Sequence, residues 1–327
     1  MTTLADELKK GLKETHPSKS GKPLFFDEKR YETLYAREFA NLFSIPENDR
    51  DVFYDAVKIV TQGQGDEQDK VNSVISSSLL SLLTFYPLFG NTDKSKYLTI
   101  NGEQYYRCFF EVKNRVIDRP SCVDIALIST DETKILYLES KLSEYADRVR
   151  TSEEYGKSYK PLYEESGLFD VALGRHLSLG ESKDKLVLKS LEDKIYIEGI
   201  KQSISHLIGL VRGPQFHKQG YYPAEYYKEY EKFYTEAKEL EFATILFDPA
   251  AFKVNTEEFK AYSELYSETI IARQDDILKC IRSWDNGKHD RGKRIVILDK
   301  LLTYQELLSD KNNRQLVDAS VLDYYKF

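Results

Sequence analysis

Three charged side chains interrupt two stretches of sequence that are otherwise apolar. Asp124 lies in the first stretch, and Glu139 and Lys141 lie in the second. The polar run at residues 130–133 suits a tight turn, so the sequence predicts two strands joined as a hairpin. A lone charge is costly to bury, whereas a paired or metal-bound charge is not. We therefore expect Asp124, Glu139 and Lys141 to meet across neighbouring strands.

The face of each strand decides whether these charges form a site. Side chains alternate along a strand, so Glu139 and Lys141 share a face. The alternative is an edge hairpin that carries a solvated Glu–Lys pair. The apolar residues on either side of Asp124 and Glu139 favour the buried site.

This constellation resembles the PD-(D/E)xK nuclease superfamily, whose members carry an Asp on one strand of a hairpin and Glu-x-Lys on the next. Here Asp124 precedes Glu139-Ser140-Lys141 by fourteen intervening residues, and Pro120 lies four positions before the Asp rather than next to it. The resemblance covers residues 60–215. It implies an α/β, restriction-endonuclease-like fold, with a mixed β-sheet core flanked by helices and with helical N-terminal and C-terminal elaborations.

The chemistry implied by the resemblance is metal-dependent hydrolysis of phosphodiester bonds. Mg²⁺, for which Mn²⁺ can substitute, would be held by Asp124, Glu139 and the backbone carbonyl of Ser140. The ion would lower the pKa of bound water and clamp the oxygens of the scissile phosphate. Lys141 would hold the attacking water or stabilise the negative charge that develops on the phosphate.

A helix predicted for residues 66–85 supplies a further candidate metal ligand. Glu67 lies on the apolar stripe of this helix, where many members of the family place an additional carboxylate. Glu38 on an earlier helix is the competing candidate. An acidic first turn that complements the helix dipole would also explain Glu67.

A second helix is predicted for residues 195–211, after the Glu-x-Lys strand. Its Gln202 resembles the family's Gln-x-x-x-Tyr pattern, with His206 in place of the Tyr. By that resemblance, Gln202 would orient Lys141 or contact the substrate. The alternative is a solvated polar face.

The best local candidate for phosphate contact is a basic loop at residues 286–294. A solvated turn is the alternative. The candidate nucleic-acid-binding residues are Lys288, Arg291, Lys293, Arg294 and, on the preceding helix, His206.

Patterns elsewhere in the chain predict the remaining elements. Strands are expected at residues 105–113, 241–247 and 294–298. Helices are expected at residues 52–60, 221–234 and 256–283 and from residue 303 onward. We expect residues 145–190 to form a partly helical insertion over the site, with a solvated surface excursion as the alternative.

Composition limits the class of protein. The 327 residues carry a formal charge of −7, so nucleic-acid binding would depend on local rather than global charge. We expect an N-terminal helical region at residues 1–60 and a nuclease domain at residues 61–327, packed as one compact unit. Three widely spaced cysteines without a zinc spacing, no signal peptide and no long apolar run predict a cytoplasmic protein without a membrane partner.

Together these features predict a Mg²⁺-dependent DNA endonuclease of restriction or defence type, with a homodimer expected and RNA left open as a substrate. One alternative is a binding or assembly module that keeps the nuclease fold without the activity. Another is a different carboxylate enzyme, such as a glycosidase that uses two acids, although Lys141 has no obvious place in that mechanism.

Overall fold

The structure is a computed structural model in which a defined part of the chain can be described. The described residues are 7, 10–11, 14, 40–41, 43–61, 76–117, 120–142, 154–156, 161–162, 166–173, 179–182, 185–188, 197–215, 224–251, 256–314, 316–317 and 321–322.

A seven-stranded mixed sheet forms the centre of the fold. Its strands are β1 (Leu98–Ile100), β2 (Glu103–Asn114), β3 (Ser121–Ser129), β4 (Lys134–Lys141), β8 (Glu239–Leu246), β9 (Arg294–Ile297) and β10 (Leu302–Thr303). Strands β1 to β4 form an antiparallel meander, whereas β8 runs parallel to β4. Both β9 and β10 pair in parallel with the other edge of β8. The predicted α/β class with a mixed sheet is confirmed.

The β3–β4 hairpin turns where the sequence predicts it. The Asp131 side chain accepts hydrogen bonds from Ser129 Oγ at 2.6 Å and from the backbone N–H of Thr133 at 3.0 Å. An Asp that bonds to the backbone two residues later is a common way to close a tight turn. This turn fixes the register of the two strands that it joins.

Helices cover both faces of the sheet. The α-helices are α1 (Arg50–Thr61), α2 (Ser77–Phe85), α3 (Leu168–Leu173), α4 (Ile197–Arg212), α5 (Ala224–Glu236), α6 (Glu257–Tyr266), α7 (Gln274–Asp285) and α8 (Tyr304–Ser309). Short 3₁₀ turns occur at Glu47–Asp49, Tyr86–Leu88 and Pro249–Ala251. None of the helices in the described part of the chain combines the length and the hydropathy that crossing a bilayer requires.

Residues 139–141 of β4 show how the two layers are arranged. Ser140 Oγ contacts the backbone carbonyl of Ser77 in α2 at 3.2 Å and the hydroxyl of Tyr304 in α8 at 2.6 Å. Glu139 and Lys141 point to the opposite face because side chains alternate along a strand. On that face lie α4 and α5, whose Tyr230 hydroxyl bonds the Tyr137 hydroxyl.

The predicted long helix over residues 256–283 is interrupted, which corrects that prediction. A π-helical turn at Ser267–Ile271 separates α6 from α7. Around it, the hydroxyls of Ser263, Ser267 and Thr269 bond the carbonyls four residues earlier at 2.6–2.9 Å. Such bonds compete with the helical backbone ladder and bend helices.

The predicted insertion at residues 145–190 contains more than helix. Besides α3, it forms a separate three-stranded antiparallel sheet in the order β5-β7-β6. These strands are β5 (Glu154–Gly156), β6 (Leu179–Ser182) and β7 (Lys185–Leu188). The strands are only three or four residues long, so the sequence offers too little alternation to reveal them.

Helix α4 sits unusually close to the sheet at Gly209. A Cβ atom at this position would lie 2.7 Å from Cβ of Asn114 on β2, and no real Cβ contact is that short. The absent side chain therefore permits the close approach of α4 to the sheet.

Candidate functional site

The hairpin register brings the two predicted acids together. Ile125 pairs with Leu138 and Ala126 pairs with Tyr137 across β3 and β4. One step further along the same register, Asp124 lies opposite Glu139 and on the same face. Lys141 shares that face because it lies two residues after Glu139.

Glu139 lies at the centre of a buried polar chain. Its Oε1 accepts a hydrogen bond from Lys141 Nζ at 2.5 Å, and its Oε2 lies 2.8 Å from Nε2 of His206. On the other side of the ring, His206 Nδ1 lies 2.5 Å from Ser121 Oγ. All four residues are buried. Helix α4 thus connects the Glu-x-Lys motif of β4 with the first residue of β3.

One oxygen of this buried carboxylate remains incompletely satisfied. The contact from His206 Nε2 to Glu139 Oε2 is short but poorly directed, and this oxygen accepts no well-formed hydrogen bond from the residues that the structure describes. Burial alone would raise the pKa of Glu139, but the charges of Lys141 and His206 outweigh it and lower the pKa to about 2. Glu139 is therefore an ionised carboxylate at neutral pH, whose Oε2 faces His206 without a well-directed hydrogen bond.

Asp124 has the opposite electrostatic character. Its Oδ2 accepts a hydrogen bond from the backbone N–H of Ser140 at 2.7 Å. Burial raises the pKa of Asp124 well above its ordinary value, and the negative charge of Glu139 raises it further, while Lys141 acts in the opposite direction. Because Asp124 is only partly buried, it marks the more open side of the site. A cation beside both acids would relieve their repulsion.

The donor set suits a hard divalent ion. Asp124 and Glu139 offer carboxylate oxygens, and the buried Glu139 Oε2 lacks a proper donor. Oxygen ligands of this kind are those that Mg²⁺ and Mn²⁺ prefer, usually with several waters retained. Within the described residues, no three acidic, histidine or cysteine side chains converge into a ready-made cage. The site fits an ion held by a few protein ligands rather than a closed structural site.

A third acid lies on the other side of Asp124, and the sequence-based prediction missed it. Phe110 pairs with Ile125, and Val112 with Val123, so the same register places Glu111 opposite Asp124. Glu111 is 5% exposed. The sequence signal for it is the Glu111-Val112-Lys113 pattern on β2, but the alternation of β2 alone does not show that this strand lies next to Asp124.

The predicted helix residues have different outcomes. Gln202 lies on α4 one turn before His206 and is partly buried, and the described hydrogen bonds include none between Gln202 and Lys141. His206, rather than Gln202, is the residue of α4 that contacts the acids. Glu67 and Glu38 lie outside the described residues, so their predicted roles stay predictions.

The basic loop contains two kinds of residue. Lys288 and Arg291 are exposed. Lys293 instead donates to the carbonyl of Ala237 at 2.5 Å, and burial lowers its pKa. Arg294 forms an ion pair with Glu239 at 2.9 Å. Lys288 and Arg291 are therefore the loop residues that best suit phosphate contact.

A buried acid attaches this loop to the helix that carries His206. Asp285 Oδ1 lies 3.0 Å from Arg212 Nε at the end of α4, and its Oδ2 accepts from the backbone N–H of His289 at 2.7 Å. Arg212 also stacks over Trp284, 5.2 Å from the ring centroid. The loop is thereby held in a defined position relative to α4.

Comparison with known proteins finds no matching family model, no similar curated protein and no similar solved structure. The resemblance to the PD-(D/E)xK superfamily therefore depends on the hairpin motif and on the elements around it. The functional proposal likewise depends on the geometry of Asp124, Glu139 and Lys141.

Proposed function

We propose that this protein is a metal-dependent nuclease of the PD-(D/E)xK type, with a restriction-endonuclease-like fold, that cleaves DNA internally. The observation that carries the proposal is the shared face of Asp124, Glu139 and Lys141 on one hairpin within a largely buried cluster. A hairpin bearing Asp and then Glu-x-Lys, followed by a helix that contacts the acids, also has the order expected for the family. The predicted homodimer and cytoplasmic location stay predictions.

Asp124, Glu139 and the backbone carbonyl of Ser140 would hold Mg²⁺ or Mn²⁺. When bound, such an ion activates water and neutralises charge on the phosphate. The chain's own contribution is to keep Glu139 ionised, through Lys141 at 2.5 Å and His206 at 2.8 Å. Asp124, which is less buried, gives the ion access from the open side.

Lys141 would act on the transition state. Its ammonium lies against the carboxylate that binds the ion, so it is held close to the reacting phosphate. Negative charge develops on the phosphate oxygens as the phosphodiester bond breaks, and a fixed cation in a water-poor site stabilises that charge. An interaction of this kind accelerates cleavage without strengthening substrate binding to the same extent.

His206 would be a positioning residue in this scheme. Its imidazole lies between Ser121 Oγ and Glu139 Oε2, so it limits the rotation of the Glu139 carboxylate. Outer residues that hold a metal ligand in place typically change metal affinity by about 10–100-fold. Because the chain as a whole is acidic, contact with the nucleic-acid backbone would depend on local basic residues. The exposed Lys288 and Arg291 would supply that contact.

Single-turnover cleavage of DNA with saturating enzyme and Mg²⁺ tests the proposal. Lys141→Ala should lose about 10²–10³-fold in rate, while its DNA affinity changes little. Lys141→Arg should not restore the full rate, because a planar guanidinium differs in shape and solvation from an ammonium. Lys134→Ala is the matched control, since Lys134 lies on the same strand but on the opposite face.

Two results would contradict the proposal. One is a native protein that cuts neither DNA nor RNA with any divalent metal. The other is a Lys141→Ala variant that cuts as fast as the native chain. In either case the alternative of a binding or assembly module without activity would take its place, and the cluster would have to be a structural feature of that module.

A further inference from the structure

The sequence of the site contains a second Glu-x-Lys pair. Glu111-Val112-Lys113 on β2 repeats the spacing of Glu139-Ser140-Lys141 on β4. Strand β3, which carries Asp124, lies between β2 and β4 in the sheet. The central acid therefore has a Glu-x-Lys pair on each side.

The two pairs share the same environment. Glu111 and Lys113 are 5% and 6% exposed, close to the 5% and 8% of Glu139 and Lys141. Cys122, two residues before Asp124, donates its thiol to Glu111 Oε2 at 3.0 Å. Since residues two apart on a strand share a face, this bond places the Glu111 carboxylate on the face of Asp124.

The backbone at Glu111 departs from the regular strand. Its φ of 53° lies in the left-handed region, which residues with a side chain seldom adopt inside a strand. The pairing of β2 with β3 keeps one register from Arg107 to Asn114 but leaves out Glu111 and Asp124. Such local strain is typical of positions where the surrounding structure holds a side chain in place for a function.

The charges of the cluster favour additional cations. Glu111, Asp124 and Glu139 bring three carboxylates, which face Lys113, Lys141 and the His206 imidazole. These carboxylates lie in a largely buried space, where Glu139 Oε2 has no well-directed donor from the described residues. Divalent cations between the carboxylates would balance this charge and that of an incoming phosphodiester.

We propose that Glu111 is a third metal-binding carboxylate of the site, which together with Asp124 holds a second divalent cation. The inference depends on the proposed nuclease function and deepens it. It assigns to β2 the contribution that the sequence assigned to Glu67 on the preceding helix. Asp124, between the two glutamates, would serve both ions, as in two-metal phosphodiester hydrolysis.

Counting bound Mn²⁺ by electron paramagnetic resonance on the full chain tests the proposal without any cleavage assay. The native protein should bind about two ions and Glu111→Gln about one, because the amide keeps the shape of the side chain but loses its charge. Glu241→Gln is the matched control, since Glu241 is also 5% exposed but lies on β8 facing away from the site. It should bind as the native chain does.

Thiol reactivity supplies a second readout. Burial is the largest cause of the raised pKa of Cys122, and the negative charge of Glu111 is the next. A cation on Glu111 would cancel that contribution, so Mn²⁺ should accelerate alkylation of Cys122 by iodoacetamide relative to Cys280. In Glu111→Gln, Mn²⁺ should change the ratio of the two rates less, because the remaining ion acts on Cys122 only through Asp124. Peptide mass spectrometry measures both sites in one sample.

The outcomes separate this inference from the proposed function. If Glu111→Gln binds as many ions as the native chain, with equal affinity, Glu111 is not a ligand and the nuclease proposal stands without it. If the native chain binds no Mn²⁺, or Asp124→Asn binds as the native chain does, both fail. Should Glu111→Gln not fold, Glu111→Asp replaces it, and an unchanged affinity, rather than a loss of roughly tenfold for one ion, would overturn the inference.

Discussion

Two clusters on the same sheet have similar composition but different states of charge pairing. The hairpin cluster consists of three acids and two lysines: Glu111, Asp124, Glu139, Lys113 and Lys141. The β8 cluster, on the opposite face near the start of β8, also has three acids and two cations: Glu103, Glu239, Glu241, Lys134 and Arg294. Composition alone therefore does not distinguish them.

In the β8 cluster every acid has a partner. Lys134 Nζ lies 2.7 Å from Glu103 and 3.6 Å from Glu241, and it also approaches Glu239. Glu241, the most buried acid, accepts a hydrogen bond from the hydroxyl of Tyr105. Lys134 is partly exposed, so solvent further screens the charges.

The comparison shows which property separates a candidate site from a structural charge network. In the β8 cluster, each acid is paired with a cation or a hydrogen-bond donor among the described residues. Burial and neighbouring carboxylates raise the pKa of both Asp124 and Glu241, but the rise is larger at Asp124. The hairpin cluster also holds a buried carboxylate oxygen, Glu139 Oε2, without a well-directed donor among the described residues. Unresolved charge of this kind gives a site the capacity to bind an ion.

The largest expected effect comes from Asp124→Ala. It should abolish the calorimetric heat of Mn²⁺ binding and reduce cleavage by roughly a thousandfold or more, since the variant loses a carboxylate of the proposed metal site. Glu103→Ala in the β8 cluster is the control and should retain both. Equal heats from the native chain and Asp124→Ala would exclude Asp124 as a ligand.

Tyr105→Phe tests the charge pairing of the β8 cluster. It removes the hydroxyl that bonds the buried Glu241, which should lower the free energy of unfolding by about 1–3 kcal/mol. Burial already raises the pKa of Glu241, so losing the donor should raise it further. The destabilisation should therefore be full at neutral pH and shrink as acid protonates Glu241. Urea unfolding from pH 4 to 8 measures this, and Mn²⁺ binding should not change.

Asp124→Asn should stabilise the protein at neutral pH by roughly 0.5–2 kcal/mol, the range of single stabilising substitutions. The folded-state pKa of Asp124 is raised, so the native chain loses stability as pH rises from the ordinary Asp pKa through the raised value. Asn does not titrate there, and its side-chain oxygen can still accept from Ser140 N–H. The advantage should therefore grow with pH. An advantage that is independent of pH would contradict this account.

The smallest effects are expected in the basic loop. Lys288→Ala and Arg291→Ala should each weaken DNA binding by less than about 1 kcal/mol. Each should also make the slope of log affinity against log salt concentration shallower by about one, because one phosphate contact is lost. Turnover of bound substrate should not change. Lys300→Ala, another exposed lysine outside the loop, is the control. Salt titrations with unchanged slopes for both loop variants would remove this loop from the interface.

The hairpin and its flanking helix were predictable because both depend on local patterns. The turn at residues 130–133 and strict alternation fixed which side chains share a face, so the spacing from Asp124 to Glu139 was sufficient. The periodicity at residues 195–211 likewise indicated α4, which spans Ile197–Arg212. Local rules of this kind do not need the tertiary structure.

The remaining part of the site depends on contacts between distant segments. Spacing alone allows His206 to lie on a solvated polar face with Gln202, but α4 docks so that His206 is buried against Glu139. The docking angle of a helix is set by packing over its whole length, which periodicity does not reveal. The parallel pairing of β4 with β8 is similar, because about a hundred residues separate the two strands.

The close approach at Gly209 gives the site a geometric tolerance. Gly209 lies three residues after His206 on α4, so the clearance of one missing methyl group determines how deeply the imidazole reaches toward Glu139. Any side chain at Gly209 would collide with Asn114 at 2.7 Å and lift this stretch of the helix. The protein thus adjusts the reach of a polar group from a residue that carries no polar side chain. Graded substitution by Ala and Ser would vary this spacing while leaving every charged residue of the site in the sequence.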